Sequence, residues 1–361
     1  MPDRAHALAA TTLALVDIPS ESRDEAAAAA WVEAALADGA LRLVHREDST
    51  LLYETERRPS VPLVLLAGHL DTVPAQGNRP GRIDGGRVHG LGASDMKGGV
   101  AVMVELAHWI AAEGPALAAD LALLFFPREE LPTEESALPG LFAAYPAVLD
   151  AELAICLEPT DNDLHLGCLG NLNAELVFHG ESAHSARPWT GVNAIERAVE
   201  GLARVIPVEP HAVELHGLRF VEVVSATQIE GGIASNVVPE RASCLLNYRY
   251  APDRSPAEAE ARIRELADTA GADEVAIAGN SPSAPVVADA PLVVRLREAG
   301  GLTVEPKQAW TPVAEFAAAG VDAVNFGPGA TAYAHRRDEQ VEIEALVRCW
   351  DVLRAFLTDT V

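Results

Sequence analysis

Histidine and acidic residues follow apolar stretches of this chain at positions where they could bind a metal ion. His69 and Asp71 come just after the run 61–67, which has the length and β-branched content of a buried strand. Asp95 lies in a glycine-rich turn before an apolar segment that begins at Gly99. Since residues i and i+2 of a strand share a face, the Asp71 carboxylate can support the His69 imidazole from behind. This arrangement is the outline of a metal site.

Further candidate ligands follow other strand-like runs. The apolar runs 120–126 and 151–157 are each followed closely by glutamate. In α/β sheets, sites gather beyond the carboxyl ends of the strands, so we expect these side chains at one edge. A two-zinc site requires imidazole and carboxylate ligands, a bridging carboxylate and one further carboxylate that acts as a base. The candidates for these roles are His69, Asp95, Glu129, Glu130, Glu158 and His335.

A second pair of glutamates, Glu134 and Glu135, competes with Glu129 and Glu130 for the site. Only the first pair comes directly after the buried strand at 120–126. We therefore assign Glu129 and Glu130 to the site and the second pair to a loop.

The elements that position these residues alternate between strand and helix along the chain. Helical periodicity covers about 4–16, 23–37 and 99–113, and buried strands lie between and after them. From about residue 171 the strands alternate between apolar and polar positions, which is typical of a half-exposed sheet. We predict an α/β fold with a mixed sheet and helices on both faces, plus an inserted smaller α+β domain. The predicted boundaries are 1–172 and 283–361 for the larger domain and 173–282 for the insert.

The composition excludes several classes of function. The chain has 361 residues, 49% of them hydrophobic, and a formal net charge of -26, which would repel nucleic acid and anionic membranes. Its four cysteines form no Cys-x-x-Cys pair, so we expect buried, reduced thiols. No signal-peptide pattern begins the sequence and no apolar run approaches the roughly 20 residues of a membrane helix. We expect a cytoplasmic protein.

Over its whole length the chain resembles the cocatalytic di-zinc aminoacylase and carboxypeptidase family. The matching segments are Gly68–Pro74, Ser94–Gly99, Glu129–Glu130, Leu157–Thr160, Ala183–Pro188, Gly191–Ile195, Gly231–Pro239, and Asn325–Gly329 with His335. The resemblance implies the zinc-hydrolase type of mixed sheet and an inserted domain that acts as lid and dimerisation surface.

The resemblance also implies two zinc ions per subunit, which cobalt or manganese could replace. One ion binds His69 and Glu158. The other binds Glu130 and His335, and Asp95 bridges the two. A cis peptide bond is implied after Asp95.

Three further residues acquire chemical roles through the resemblance. Glu129 is the general base, and Asp71 orients His69. His184 corresponds to a histidine that stabilises the oxyanion from the inserted domain of the partner subunit, so a homodimer is implied. The residues that correspond to substrate-binding positions in relatives are Arg187, Asn236, Arg249 and Thr311.

Within this family the segments are most similar to succinyl-diaminopimelate desuccinylases. The expected reaction is hydrolysis of N-succinyl-LL-2,6-diaminopimelate to succinate and diaminopimelate, in lysine biosynthesis. The stretch 167–171 lacks an arginine that the better-known desuccinylases use on the substrate. Three alternatives therefore stay open: an N-acetylornithine deacetylase or other N-acyl-amino-acid deacylase, a metallo-dipeptidase or carboxypeptidase, and a catalytically inactive relative that binds an amino-acid derivative.

Overall fold

The structure of the protein, a computed structural model, describes residues 4–358. Its helices are α1 (Arg4–Asp17), α2 (Ala26–Ala35), α3 (Gly98–Glu113), α4 (Leu138–Ala144), α5 (Ala194–Val205), α6 (Pro256–Ala270), α7 (Pro291–Gly300), α8 (Val313–Ala318) and α9 (Ile343–Thr358). Its strands in the first half of the chain are β1 (Arg42–Glu47), β2 (Thr50–Glu54), β3 (Leu63–His69), β4 (Arg82–Asp84), β5 (Arg87–His89), β6 (Asp120–Phe126), β7 (Leu153–Cys156), β8 (Leu164–Leu166) and β9 (Gly170–His179). The second half contains β10 (Ala183–His184), β11 (His211–Leu215), β12 (Leu218–Gly231), β13 (Val237–Val238), β14 (Arg241–Tyr250), β15 (Glu274–Ser281), β16 (Val304–Pro306), β17 (Ala323–Asn325) and β18 (Gln340–Glu342).

The chain divides into two compact units. The first takes in the chain up to Leu166, Val287–Glu305 and the segment from Thr311 onward. The second comprises Gly167–Val286 and Pro306–Trp310. The predicted α/β class with an inserted α+β part is confirmed, whereas the boundaries at 172/173 and 282/283 remain predictions.

An eight-stranded mixed sheet forms the centre of the first unit. Its strand order is β1-β2-β6-β3-β7-β17-β8-β16. In β3 and β6 each residue is buried, which requires cover on both faces of the sheet and explains their continuous apolar sequences. Helices α1, α3 and α9 pack against one another beside this sheet.

A second, three-stranded sheet in this unit has the order β18-β5-β4. Between β4 and β5 the turn residues Gly85 and Gly86 both have positive φ, as the commonest two-residue hairpin turn requires. Glu342 ends β18, and α9 follows directly from Ile343.

The second unit packs two helices on a five-stranded antiparallel sheet of order β11-β12-β14-β9-β15. The Asn193 side chain caps α5 by accepting hydrogen bonds from the amides of Ile195 and Glu196. A capping box of Ser255 and Glu258 begins α6, with Pro256 in the first turn.

All four cysteines are buried and unbridged, as predicted. Among residues 4–358, no helix is both long and apolar enough to cross a membrane. The prediction that no signal-peptide pattern begins the sequence rests partly on residues 1–3, which lie outside the described residues.

Candidate metal centre

Three neighbouring strands of the large sheet end at the same edge. Strand β3 runs parallel to β6 on one side and to β7 on the other, with His69 opposite Phe126 and Ala67 opposite Cys156. Side chains that follow these strands therefore meet. At the start of α3, a Cβ on Gly99 would lie 2.5 Å from the Leu157 carbonyl, so only glycine lets this turn approach β7 so closely.

Five side chains converge at this edge. The His69 Nε2 atom lies 3.2 Å from Asp95 Oδ1 and 4.0 Å from Glu158 Oε1. The His335 Nε2 atom lies 3.4 Å from the other Asp95 oxygen, Oδ2, and 2.9 Å from Glu130 Oε1. His69, Asp95 and Glu158 form one group that could hold a metal ion, and Asp95, Glu130 and His335 form a second. The two groups share Asp95, one oxygen of which faces each histidine.

Glu129 belongs to a further group, with His69 and Glu130, whose potential ligand atoms lie within 4.8 Å of one another. Burial and the neighbouring carboxylates of Glu158, Glu130 and Asp95 raise the pKa of Glu129 well above its usual value. This environment therefore favours the protonated form of the carboxyl group.

Asp71 lies behind His69 and organises the turn after β6. Its carboxylate accepts hydrogen bonds from the amides of Glu129 (3.0 Å) and Glu130 (3.1 Å) and from the Ser22 hydroxyl (2.7 Å). His69 Nδ1 lies 3.0 Å from the Asp71 carbonyl oxygen and 3.4 Å from its Oδ1. A proton on Nδ1 satisfies both oxygens, which leaves the Nε2 lone pair directed at Asp95 and Glu158.

The carboxylates control the charge of both histidines. Burial lowers the pKa of His69, but hydrogen bonds with Asp71 and Asp95 outweigh this effect and raise it well above its usual value. Hydrogen bonds with Asp95 and Glu130 raise the pKa of His335 to about 11. Burial raises the pKa of Asp95, yet its hydrogen bonds with His335 and His69 bring it well below the usual range. Without a bound cation, the cluster therefore binds protons on its imidazoles.

The alternative glutamate pair lies away from the cluster. Glu135 pairs with Arg23 at 2.7 Å in an exposed short helical turn. Among residues 4–358, neither Glu134 nor Glu135 belongs to a group of potential metal ligands.

In the second unit, His184 lies in β10, which pairs with β13, and its side chain is exposed. The Ala186 amide donates a hydrogen bond to His184 Nδ1 at 3.0 Å, so the neutral imidazole carries its proton on Nε2. The Asn236 carbonyl accepts a hydrogen bond from the Ser185 amide at 3.0 Å. These contacts hold the exposed segment that contains His184 and Arg187 beside Asn236.

The other two predicted substrate-binding residues lie in different units. Arg249, in β14 of the second unit, donates from Nε to Asn247 Oδ1 at 3.0 Å, and burial lowers its pKa. Thr311 is buried in the first unit directly before α8.

The comparisons with known proteins give the family. Residues 65–359 match the family model described as peptidase family M20/M25/M40. The chain belongs to peptidase family M20/M25/M40. This confirms the predicted family, and with it a hydrolase.

Two relatives of this M20 chain match over almost their whole length. A Mycobacterium tuberculosis protein named "Putative succinyl-diaminopimelate desuccinylase" is 40% identical over 347 residues, which cover 96% of each chain. A succinyl-diaminopimelate desuccinylase of Corynebacterium glutamicum is 34% identical over 355 residues, which cover 96% of this chain and 95% of the relative.

Solved structures show the same fold. A metallo-carboxypeptidase from Sulfolobus solfataricus, 18% identical, superposes with a TM-score of 0.80 and covers 99% of both chains. A Bacillus subtilis protein described as a dinuclear metal binding peptidase, 16% identical, gives a TM-score of 0.71 and covers 98% of this chain and 97% of its own.

The donor set of the M20 chain fits divalent metal ions. The two imidazoles are surrounded by five carboxyl groups, those of Asp71, Asp95, Glu129, Glu130 and Glu158. Even two imidazolium ions leave an excess of negative charge among these buried or half-buried groups, which is costly unless cations compensate it. Nitrogen and oxygen donors of this kind suit zinc and its first-row neighbours.

One supporting residue of the M20 chain has no role in the sequence analysis. The buried carboxylate of Glu339 accepts hydrogen bonds from the amides of Gly92 (2.8 Å), Ser94 (3.0 Å) and Asp95 (3.0 Å). Burial raises the pKa of Glu339 to about 7. The turn that carries Asp95 also contains the cis peptide bond between Asp95 and Met96 that the resemblance implies. Because its partners are backbone amides, no residue pattern points to Glu339.

Proposed function

We propose that this chain is a di-zinc amide hydrolase that converts N-succinyl-LL-2,6-diaminopimelate and water to succinate and LL-2,6-diaminopimelate. The observation that carries the reaction type is the pair of donor groups that share Asp95. The substrate assignment rests on the two desuccinylase relatives that match over at least 95% of their length.

Five residues would hold the ions. His69 and Glu158 would bind the first, Glu130 and His335 the second, and Asp95 both. When bound, such ions make water more acidic and polarise an amide carbonyl. Zinc is the proposed metal, and cobalt or manganese would substitute for it because they accept the same donors.

Glu129 would act as the general base and then the general acid. It lies beside both donor groups, and its raised pKa favours uptake of a proton from the attacking water. The same carboxyl group would then deliver that proton to the leaving amine. Asp71 would hold His69 in the tautomer whose Nε2 lone pair is available as a ligand.

His184 would donate a hydrogen bond to the oxyanion of the tetrahedral intermediate. The Ala186 amide occupies Nδ1, so the Nε2 proton is the one available for donation. We propose that His184 acts in the active site of the partner subunit.

The second unit has a surface suited to a second copy of the chain. Strand β12 extends to Gly231, but β11 pairs only with its residues 218–222, so within residues 4–358 one edge of 223–231 has no neighbouring strand. Trp189 and Ile233 are 77% and 87% exposed, and Ile229 is also exposed. Two copies related by a twofold axis can pair such edges antiparallel and cover these apolar side chains.

The proposed substrate carries several carboxylates, and Arg187, Asn236, Arg249 and Thr311 are the residues proposed to bind them. The Arg249 guanidinium is partly removed from water, and within residues 4–358 its hydrogen bond goes to the neutral side-chain amide of Asn247. A substrate carboxylate would compensate this charge.

The decisive experiment compares substrates on zinc-loaded protein with and without a chelator. We expect succinate release from N-succinyl-LL-2,6-diaminopimelate, loss of turnover on chelation, and much slower turnover of N-acetylornithine and of dipeptides. Preferred cleavage of N-acetylornithine or a dipeptide would contradict the substrate assignment. Turnover that is insensitive to the chelator would contradict the metal mechanism, and cleavage of none of these substrates would favour a catalytically inactive relative.

A further inference from the structure

The three-stranded sheet has a polar outer face. Arg82 on β4 is paired with His89 on β5, and His89 is also paired with Gln340 on β18. Directly opposed residues of a sheet point to the same face, so these three side chains form one row. The adjacent row contains Val88 and Val341, which are buried and therefore face the interior. Arg82, His89 and Gln340 accordingly lie on the opposite face, on which Arg82 is exposed, His89 is half-buried and Gln340 is buried.

Two loops extend this face into a cleft. A cavity of about 780 Å³ is lined by residues 77–80, 82, 89–90 and 337–340, among them Arg79 and Arg337. A Cβ on Gly77 would lie 3.8 Å from Arg337 Nη2, so the Arg337 guanidinium lies next to the loop that contains Gly77. The Asn78 amide group donates to the Arg336 carbonyl at 3.3 Å and fastens the loops together. The size is within the range of roughly 300–1,000 Å³ that is usual for small-molecule sites.

The arginines of this cleft lack anionic partners. Within residues 4–358, Arg79, Arg82 and Arg337 form no ion pair, although the whole chain has a net charge of -26. Some arginines of the chain do pair with a buried carboxylate, as Arg58 does with Asp120 at 2.7 Å. The Nε and Nη2 atoms of Arg79 are buried and have no hydrogen-bond partner among the residues that the structure describes. A buried, unpaired guanidinium is costly unless an anion compensates it.

The two carboxylates in the lining are already occupied. Asp338 forms a bidentate ion pair with Arg336, at 2.8 and 2.9 Å. The Glu339 carboxylate accepts three backbone hydrogen bonds from the turn that carries Asp95. Neither forms an ion pair with the three arginines, and three arginines against two carboxylates leave the lining with a positive formal charge.

We propose that this cleft, which we call the arginine cleft, binds a small molecule of the phosphate class. The planar guanidinium fork matches phosphate oxygens in bidentate fashion, and three such groups suit a multiply charged anion. Gln340 and His89 add further hydrogen-bonding groups to the lining. None of the lining residues is a candidate metal ligand, although Glu339 also accepts a hydrogen bond from the amide of Asp95, so the cleft lies behind the turn that carries this ligand.

Calorimetric titration of the full-length, metal-loaded protein with sodium pyrophosphate tests the proposal. We expect one site per chain, weakened by added salt as screening requires. The double variant Arg79→Gln/Arg337→Gln should bind at least roughly tenfold more weakly, because two charge-assisted contacts are lost. Arg297→Gln removes an exposed arginine outside the cleft and serves as the matched control, with less than about a twofold change. Pyrophosphate held by the metal ions would bind equally to the double variant, and that result would overturn the proposal.

Arg79 is partly buried, so its substitution also removes packing. Two exposed positions, Arg82 and Arg337, therefore supply single variants whose folding is checked by circular dichroism. Folded Arg82→Gln and Arg337→Gln proteins should each show clearly weaker pyrophosphate binding. Unchanged affinity in both would overturn the arginine cleft as the site. A parallel titration with citrate tests the ligand class, and equal or tighter binding of this tricarboxylate would overturn the assignment to phosphate.

Discussion

Substitution of Asp71 by asparagine tests how the sheet edge organises its ligands. The wild-type carboxylate is fully buried and receives the amides of Glu129 and Glu130 and the Ser22 hydroxyl. Asparagine offers one oxygen and one NH₂ group, so one of these backbone amides must face another donor. It also removes the negative charge beside His69 Nδ1, 3.4 Å from Oδ1.

The expected losses in stability and in metal affinity follow from these contacts. A charge-assisted hydrogen bond contributes about 1.5–3 kcal/mol, and a buried donor left without an acceptor costs about 1–3 kcal/mol. We expect Asp71→Asn to lower the free energy of unfolding of the first unit by about 2–5 kcal/mol. Substitution of a group that orients a metal ligand weakens metal binding by about 10–100-fold. We expect a loss in this range for the ion bound by His69.

The assay combines urea unfolding of the metal-free protein with zinc titration against a chromophoric chelator. Asp120→Asn is the matched control, since Asp120 is also a buried carboxylate that accepts a backbone amide, from Arg58 at 2.6 Å. It begins β6, at the opposite end from the cluster, so its substitution should reduce stability and leave zinc affinity unchanged. Equal zinc affinity in wild type and Asp71→Asn, or equal losses in both variants, would refute the reasoning.

Three further variants address the remaining roles. Glu129→Ala should keep both zinc ions and lose about 10²–10⁴-fold in kcat, with metal content and kcat measured on the same sample. The control Glu134→Ala should change neither the metal content nor kcat. Substantial zinc loss in Glu129→Ala would exclude the base assignment. His184→Ala should keep the dimer and its metals, by light scattering and metal analysis, and lose about 10²–10³-fold in kcat; an unchanged rate would count against oxyanion stabilisation. Glu339→Ala leaves three amides without an acceptor. Urea unfolding should therefore show a loss of several kcal/mol in the free energy of unfolding, roughly 1–3 kcal/mol for each amide, and zinc binding at Asp95 should be weaker. Wild-type stability and zinc affinity would show that the turn does not depend on Glu339.

The sequence predicts best the parts of the site that follow buried strands. His69, Glu130 and Glu158 come just after continuous apolar runs, and parallel strands deliver their ends to one edge. His335 is different, because 205 positions separate it from Glu130 and only the family resemblance connects them. Local patterns carry no information about such long-range contacts.

The three-stranded sheet is absent from the sequence-based prediction. Its strands have three residues each, too short for a clear alternating pattern. Gly85–Gly86 between two such segments is nevertheless a hairpin signal that a closer inspection of turn residues could identify. Glu339 could not be found this way, because its contacts are with backbone amides and any residue type supplies an amide.

The number of metal ions per chain, measured together with turnover, tests the central claim most directly. Elemental analysis of active protein should give two zinc ions per chain, and Asp95→Ala should lose both because both proposed ion sites include Asp95. Hydrolysis of N-succinyl-LL-2,6-diaminopimelate should disappear with the ions and return when zinc is restored to the wild type. A single ion in fully active protein, or an Asp95→Ala variant that retains both ions and full activity, would contradict the shared two-metal centre.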